Sequence, residues 1–151
     1  MGQNAAVKPS ANVEVAPAVL VIDDDQVMRD LMADWLEAAG YRVFKAAGCD
    51  AALTQVELHQ PAVVVTDMFM PGPCGEEAIA EIRKAAPGVA IVAVSGNFNS
   101  APRCAVGTGA AREICGNKAI AAGAHRALAK PVQRREFLKA VAELVDAAAA
   151  R

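Results

Sequence analysis

Short runs of β-branched or small apolar residues alternate along this chain with longer stretches in which apolar positions recur at helical spacing. The first run is Ala18–Ile22. Asp23-Asp24-Asp25 follow it, and then Val27, Leu31, Trp35 and Leu36 repeat on a helical period that stops at Gly40. The same strand, loop and helix recur at Arg42–Ala46 with Asp50–Leu58, and at Ala62–Thr66 with Gly75–Ala86. A fourth strand is predicted at Ala90–Val94. A fifth, at about His125–Ala129, leads through Lys130-Pro131 into an amphipathic helix carrying Phe137, Leu138, Val141, Leu144 and Val145. Strands without apolar and polar alternation, separated by helices, predict a parallel sheet covered on both faces. Right-handed crossovers then permit a doubly wound α/β sheet of order 2-1-3-4-5.

Two stretches fall outside this rhythm. Residues 1–17 are rich in Ala, Asn, Ser and Pro with no sustained period, and read as a flexible leader. Asn97–Gly109 holds Asn, Ser, Pro and Gly before a helical stretch at about 111–122, so the connection over about 97–112 is long for a compact domain. A length of 151 residues, 54% of them hydrophobic, suffices for one core, and residues 18–148 are assigned to a single domain. With a net charge of −2 and no Lys/Arg block, the electrostatic footprint of a nucleic-acid binder is missing. Neither a signal-type amino terminus nor a bilayer-length apolar run is present, which points to a cytoplasmic protein with no membrane partner. Cys49, Cys74, Cys104 and Cys115 lack metal-site spacing and read as free thiols.

Candidate chemistry concentrates where the strands end. Asp23, Asp24, Asp67, Ser95 and Lys130 each stand at the carboxyl end of an apolar run, the edge along which such sheets form their ligand crevice. Three carboxylates there supply hard oxygen ligands suited to Mg²⁺. Asp67 is then the natural nucleophile toward a phosphoryl group, with the Phe69 carbonyl offered to the metal. Lys130 supplies a point charge and Ser95 a hydroxyl to the phosphoryl oxygens. The Lys130-Pro131 bond, in a turn that must aim the lysine inward, is a candidate for the cis isomer. Blander readings apply elsewhere. Asp25 reads as a helix cap, His59 as a helix-end residue, His125 as structural, and Trp35 as packing.

The motifs VLVIDDD at 19–25, VVVTDMFMPG at 63–72, AIVAVSG at 90–96 and ALAKPV at 127–132 together resemble a response-regulator receiver domain of two-component signalling. The resemblance implies a flavodoxin-like fold. It further implies that Asp67 accepts a phosphoryl group from a sensor histidine kinase or histidine phosphotransfer protein, with Mg²⁺ held by Asp24, Asp67 and the Phe69 carbonyl. Asp23 would act on the metal through water, and Ser95 and Lys130 would engage the phosphoaspartate. An effector protein would dock on the face made by the fourth helix, fifth strand and fifth helix, with the chain a monomer or weak dimer. Phe69 and Asn97 would govern how readily water reaches the phosphoaspartate. One departure stands out: Ala127 occupies the position where the family usually has Tyr or Phe as a rotamer switch. No output domain is expected after Arg151, so the chain reads as a stand-alone regulator, not an enzyme acting on a separate substrate. Two alternatives remain open: an inert pseudo-receiver, and a haloacid-dehalogenase-type phosphatase using Asp23 and Asp25.

Overall fold

Because period-two side chains fall alternately on the two faces of a strand, an all-apolar strand needs a covering layer on each side. The computed structural model, which describes residues 16–68, 75–95 and 120–149, meets that requirement. Its strands are β1 (Ala18–Ile22), β2 (Arg42–Ala46), β3 (Val63–Asp67), β4 (Ala90–Ser95) and β5 (Arg126–Ala129). The helices are α1 (Gln26–Ala38), α2 (Cys49–His59), α3 (Gly75–Ala85) and a C-terminal helix at Arg134–Ala149. All strand pairs are parallel, in the order β2-β1-β3-β4-β5 that the strand and helix rhythm predicts.

The two faces carry separate cores. Leu20, Ile22, Val64, Ile91 and Ala93 pack against Ala52 and Val56 of α2 and Ile79 and Ile82 of α3. On the opposite face Val19, Val21, Val65, Val92 and Val94 pack against Met32 and Leu36 of α1 and Phe137, Val141 and Leu144 of the C-terminal helix. The central strands β1 and β3 are buried throughout, whereas the edge strands β2 and β5 are largely half-exposed.

Several boundaries and one helix face differ from the sequence reading. Asp67 and Ser95 are not past their strands but are the last residues of them, paired with Val94 and Ala129 respectively. His125 precedes β5 because its imidazole stands in for a strand carbonyl: Nδ1 accepts the Ile91 N–H at 3.1 Å, while its own N–H donates to the Ile91 carbonyl at 2.7 Å. His59, at the end of α2, stacks on Phe44 with ring centroids 3.7 Å apart. On α1 the buried stripe runs through Met28, Met32, Trp35 and Leu36, leaving Val27 75% and Leu31 39% exposed. The stop at Gly40 holds, with φ +100° and its N–H donating to the Glu37 carbonyl at 3.0 Å.

The 1–17 leader lies outside the described residues except for its last two, as does the 97–112 connection. Only the end of the predicted 111–122 helix is described, as helical residues 120–122. Cys49 is a free buried thiol whose pKa is pushed up, first by burial and then by Asp50 and Glu81. Among the described residues no helix is long and apolar enough to cross a membrane.

Phe137 is fully buried and meets Trp35 in a tilted contact with centroids 6.0 Å apart. Phe137→Ala is expected to lower the unfolding free energy by about 3–5 kcal/mol through lost burial and a residual cavity. Urea unfolding followed by Trp35 fluorescence checks this, with the transition midpoint falling and its slope unchanged.

Candidate functional site

Strand order and register decide which side chains meet. β1 and β3 are neighbours with Ile22 opposite Thr66, so Asp23 and Asp67, one residue further along each strand, emerge side by side. β5 lies beyond β4, and the chain leaving it carries Lys130 on a stem long enough to reach back across the sheet end. Its Nζ donates to Asp23 Oδ2 at 3.1 Å and to Asp67 Oδ2 at 3.3 Å. The Asp23 side chain is fully buried, that of Asp67 is 5% exposed and that of Lys130 16%. Asp24 is exposed, at the rim. Single carboxylate oxygens of Asp23, Asp24 and Asp67 lie within 4.8 Å of one another. Four of the five side chains picked from sequence therefore gather in one place.

The acidic loop is held from several directions. The Asp23 N–H donates to the Ala46 carbonyl at 3.1 Å, and its Oδ1 accepts the Asp25 N–H at 2.9 Å. Asp25 turns the other way. Its Oδ1 accepts the N–H groups of Val27 at 2.9 Å and Met28 at 3.4 Å, so it caps α1 and takes no place among the pocket acids. The Asp23 carbonyl accepts a 2.7 Å hydrogen bond from Arg29 Nη1, a residue to which the sequence reading gave no role. Its one sequence signal is a cation in the first helical turns after an acidic triplet.

Electrostatics follow from this packing. Burial, the largest single influence on Lys130, favours its neutral form, but the charges of Asp67 and Asp23 and their hydrogen bonds together outweigh it, leaving its pKa above the usual lysine value. Three carboxylates against one ammonium leave a local excess of negative charge that a small hard cation could balance. The all-oxygen donor set at this spacing fits Mg²⁺. The Lys130–Pro131 bond is cis. Phe69, Asn97 and the Ser95 hydroxyl lie outside what the structure describes, though the Ser95 backbone ends β4 beside Ala129. Ala127 is partly buried and packs against the core shared with α2 and α3.

Replacing Lys130 with Met leaves two buried carboxylates without their cation. At neutral pH this is expected to cost about 3–5 kcal/mol of stability, as for breaking any buried pair from one side. The sign of the pH dependence follows from the raised pKa: the ammonium's contribution is complete below 10.5 and is lost as pH rises through the higher folded value. The difference in unfolding free energy between the native chain and Lys130→Met should stay constant at mildly alkaline pH and shrink above 10.5, as read by urea titrations across that range.

The family model described as the response regulator receiver domain matches residues 19–142. An uncharacterised protein of Leptolyngbya boryana is 32% identical over 82% of this chain and 86% of its own length. The chemotaxis protein CheY of Halobacterium salinarum is 27% identical over 88% of this chain and all of its own. A CheY-like receiver domain structure from Methanospirillum hungatei superposes with a TM-score of 0.74 at 24% identity, over 90% of this chain and 98% of that one, which speaks for the fold. In four longer relatives, one a protein-glutamate methylesterase and three transcriptional regulators, the shared region makes up only 18% to 28% of the relative, so it recurs as a module within larger proteins. A match running from β1 into the C-terminal helix decides the affiliation: this chain belongs to the response regulator receiver domain family.

Proposed function

We propose that this protein is a response regulator whose receiver domain accepts a phosphoryl group on Asp67 from a histidine kinase or histidine phosphotransfer protein in a Mg²⁺-dependent reaction. The observation that supports this reading most is Lys130 Nζ bridging Asp67 and Asp23 beside the Asp24 carboxylate. Asp23, Asp24, Asp67 and the Phe69 carbonyl would hold Mg²⁺, which when bound supplies positive charge against the phosphoryl oxygens. An Asp67 carboxylate oxygen attacks phosphorus. The new O–P bond forms as the N–P bond of the donor phosphohistidine breaks, its electron pair returning to the imidazole. Lys130, already directed at Asp67, pairs with the transferred oxygens, and the Ser95 hydroxyl donates to the same group.

Phosphorylation then acts as a population shift. Lys130 exchanges its bond to Asp67 Oδ2 for one to a more highly charged group, which favours packings in which the sheet edge around β5 follows it. An effector protein would read that edge on the face made by the predicted fourth helix, β5 and the C-terminal helix. The reading takes residues 18–148 as the working unit after a 1–17 leader, acting in the cytoplasm as a monomer or weak dimer, without direct nucleic-acid or membrane contact. The reactions this reading assigns to the receiver domain are its own phosphorylation and dephosphorylation.

Two other readings are weaker. A phosphatase using Asp25 as general acid is disfavoured because that carboxylate is engaged by the start of α1. An inert module has only Ala127 in its favour. Incubation with acetyl phosphate and Mg²⁺ followed by intact mass is expected to give one phosphoryl adduct, lost in Asp67→Asn and when Mg²⁺ is chelated. An unmodified native chain, with Trp35 fluorescence unmoved by beryllofluoride, would leave the inert module standing. An adduct that survives Asp67→Asn would move the acceptor elsewhere.

A further inference from the structure

Asp24 is the one pocket acid whose carboxylate no side chain holds: among the described residues Asp23 and Asp67 are both fastened by Lys130, while Asp24 stands exposed at the rim. Its placement is therefore left to the backbone. The peptide unit joining Asp23 to Asp24 has its carbonyl clamped by Arg29 Nη1 at 2.7 Å, the short distance of a charge-assisted bond. Arg29 belongs to α1, which the Asp25 cap and the Met32 and Leu36 packing fix against the sheet. The guanidinium thus ties the orientation of that peptide plane, and with it the direction in which Asp24 leaves the backbone, to a rigid helix.

We propose that Arg29 is a positioning residue for the acidic pocket, holding the Asp23–Asp24 peptide so that the Asp24 carboxylate stays with those of Asp23 and Asp67. The inference rests on the reading that this pocket takes Mg²⁺. It has a consequence opposite in sign to simple electrostatics. Deleting a cation near a cation site raises its affinity by Coulomb's law. Deleting a clamp that orients a ligand lowers it, by about 10–100-fold for outer partners of metal ligands.

Calorimetric titration with MgCl₂ separates the two, using the native chain, Arg29→Met, which keeps length but loses donor and charge, and Arg29→Lys, which retains both. Arg29→Met is expected to bind Mg²⁺ at least about ten-fold more weakly. Arg29→Lys should recover most of that loss, and the urea midpoints of the two metal-free variants should lie close together. Mg²⁺ bound by Arg29→Met as tightly as by the native chain, or more tightly, would overturn the proposal, as would a lysine variant no better than the methionine one. Should Arg29→Met fail to fold, Arg29→Ala, which likewise lacks donor and charge, carries the same expectation. A native chain that takes up no Mg²⁺ would remove the reading beneath as well, an outcome distinct from native binding that Arg29→Met preserves.

Discussion

One ammonium between two buried carboxylates is the interaction on which the rest of this sheet edge depends. Asp23 and Asp67 emerge from adjacent central strands with almost no contact with water. Two carboxylates so placed repel each other and forgo hydration, and a cation between them offsets both costs. Lys130 prevents this from 107 and 63 positions away in sequence, which only the parallel order β2-β1-β3-β4-β5 makes possible. Three acids against the Lys130 ammonium and the Arg29 guanidinium on the adjoining carbonyl still leave room for added positive charge.

The two cores make that imbalance of charge tolerable. β1 and β3 are gripped on both faces, so the backbone that presents Asp23 and Asp67 has little freedom to splay when the carboxylates repel. Helix α1 is held from its cap at Asp25 to the Met32 and Leu36 contacts, and the C-terminal helix locks it through the tilted Trp35–Phe137 pair. Packing of this kind is not continuously deformable, so a change of charge at the strand ends would favour discrete alternatives over gradual drift.

Much of this was legible because strand ends are marked by abrupt changes from apolar to polar. Asp23, Asp24, Asp67 and Lys130 could be placed together from that signal and the parallel order alone, and Asp25 could be set aside as a cap. The face of α1 could not be read with the same security. Val27, Met28, Leu31, Met32, Trp35 and Leu36 form two adjacent apolar rows, and periodicity cannot choose between neighbouring rows one residue apart. The choice falls to contacts remote in sequence, chiefly Phe137. Arg29 escaped for a different reason: it is aimed at a backbone group, the Asp23 carbonyl, and backbone groups leave no trace in a pattern of side chains.

Ala127 limits how the state of the pocket can be passed along β5. An alanine has no side-chain rotamer to change, so this position cannot report by swinging between a buried and an exposed state as an aromatic would. The stem of Lys130 leaves the end of this strand through Ala129. The strand backbone is held at its far end, where His125 and Ile91 exchange two hydrogen bonds, and beside it by the Arg83 guanidinium bonded at 3.3 Å to the Gly123 carbonyl. The strand between this anchor and Lys130 is paired with β4 along its whole length, from Arg126 opposite Val92 to Ala129 opposite Ser95.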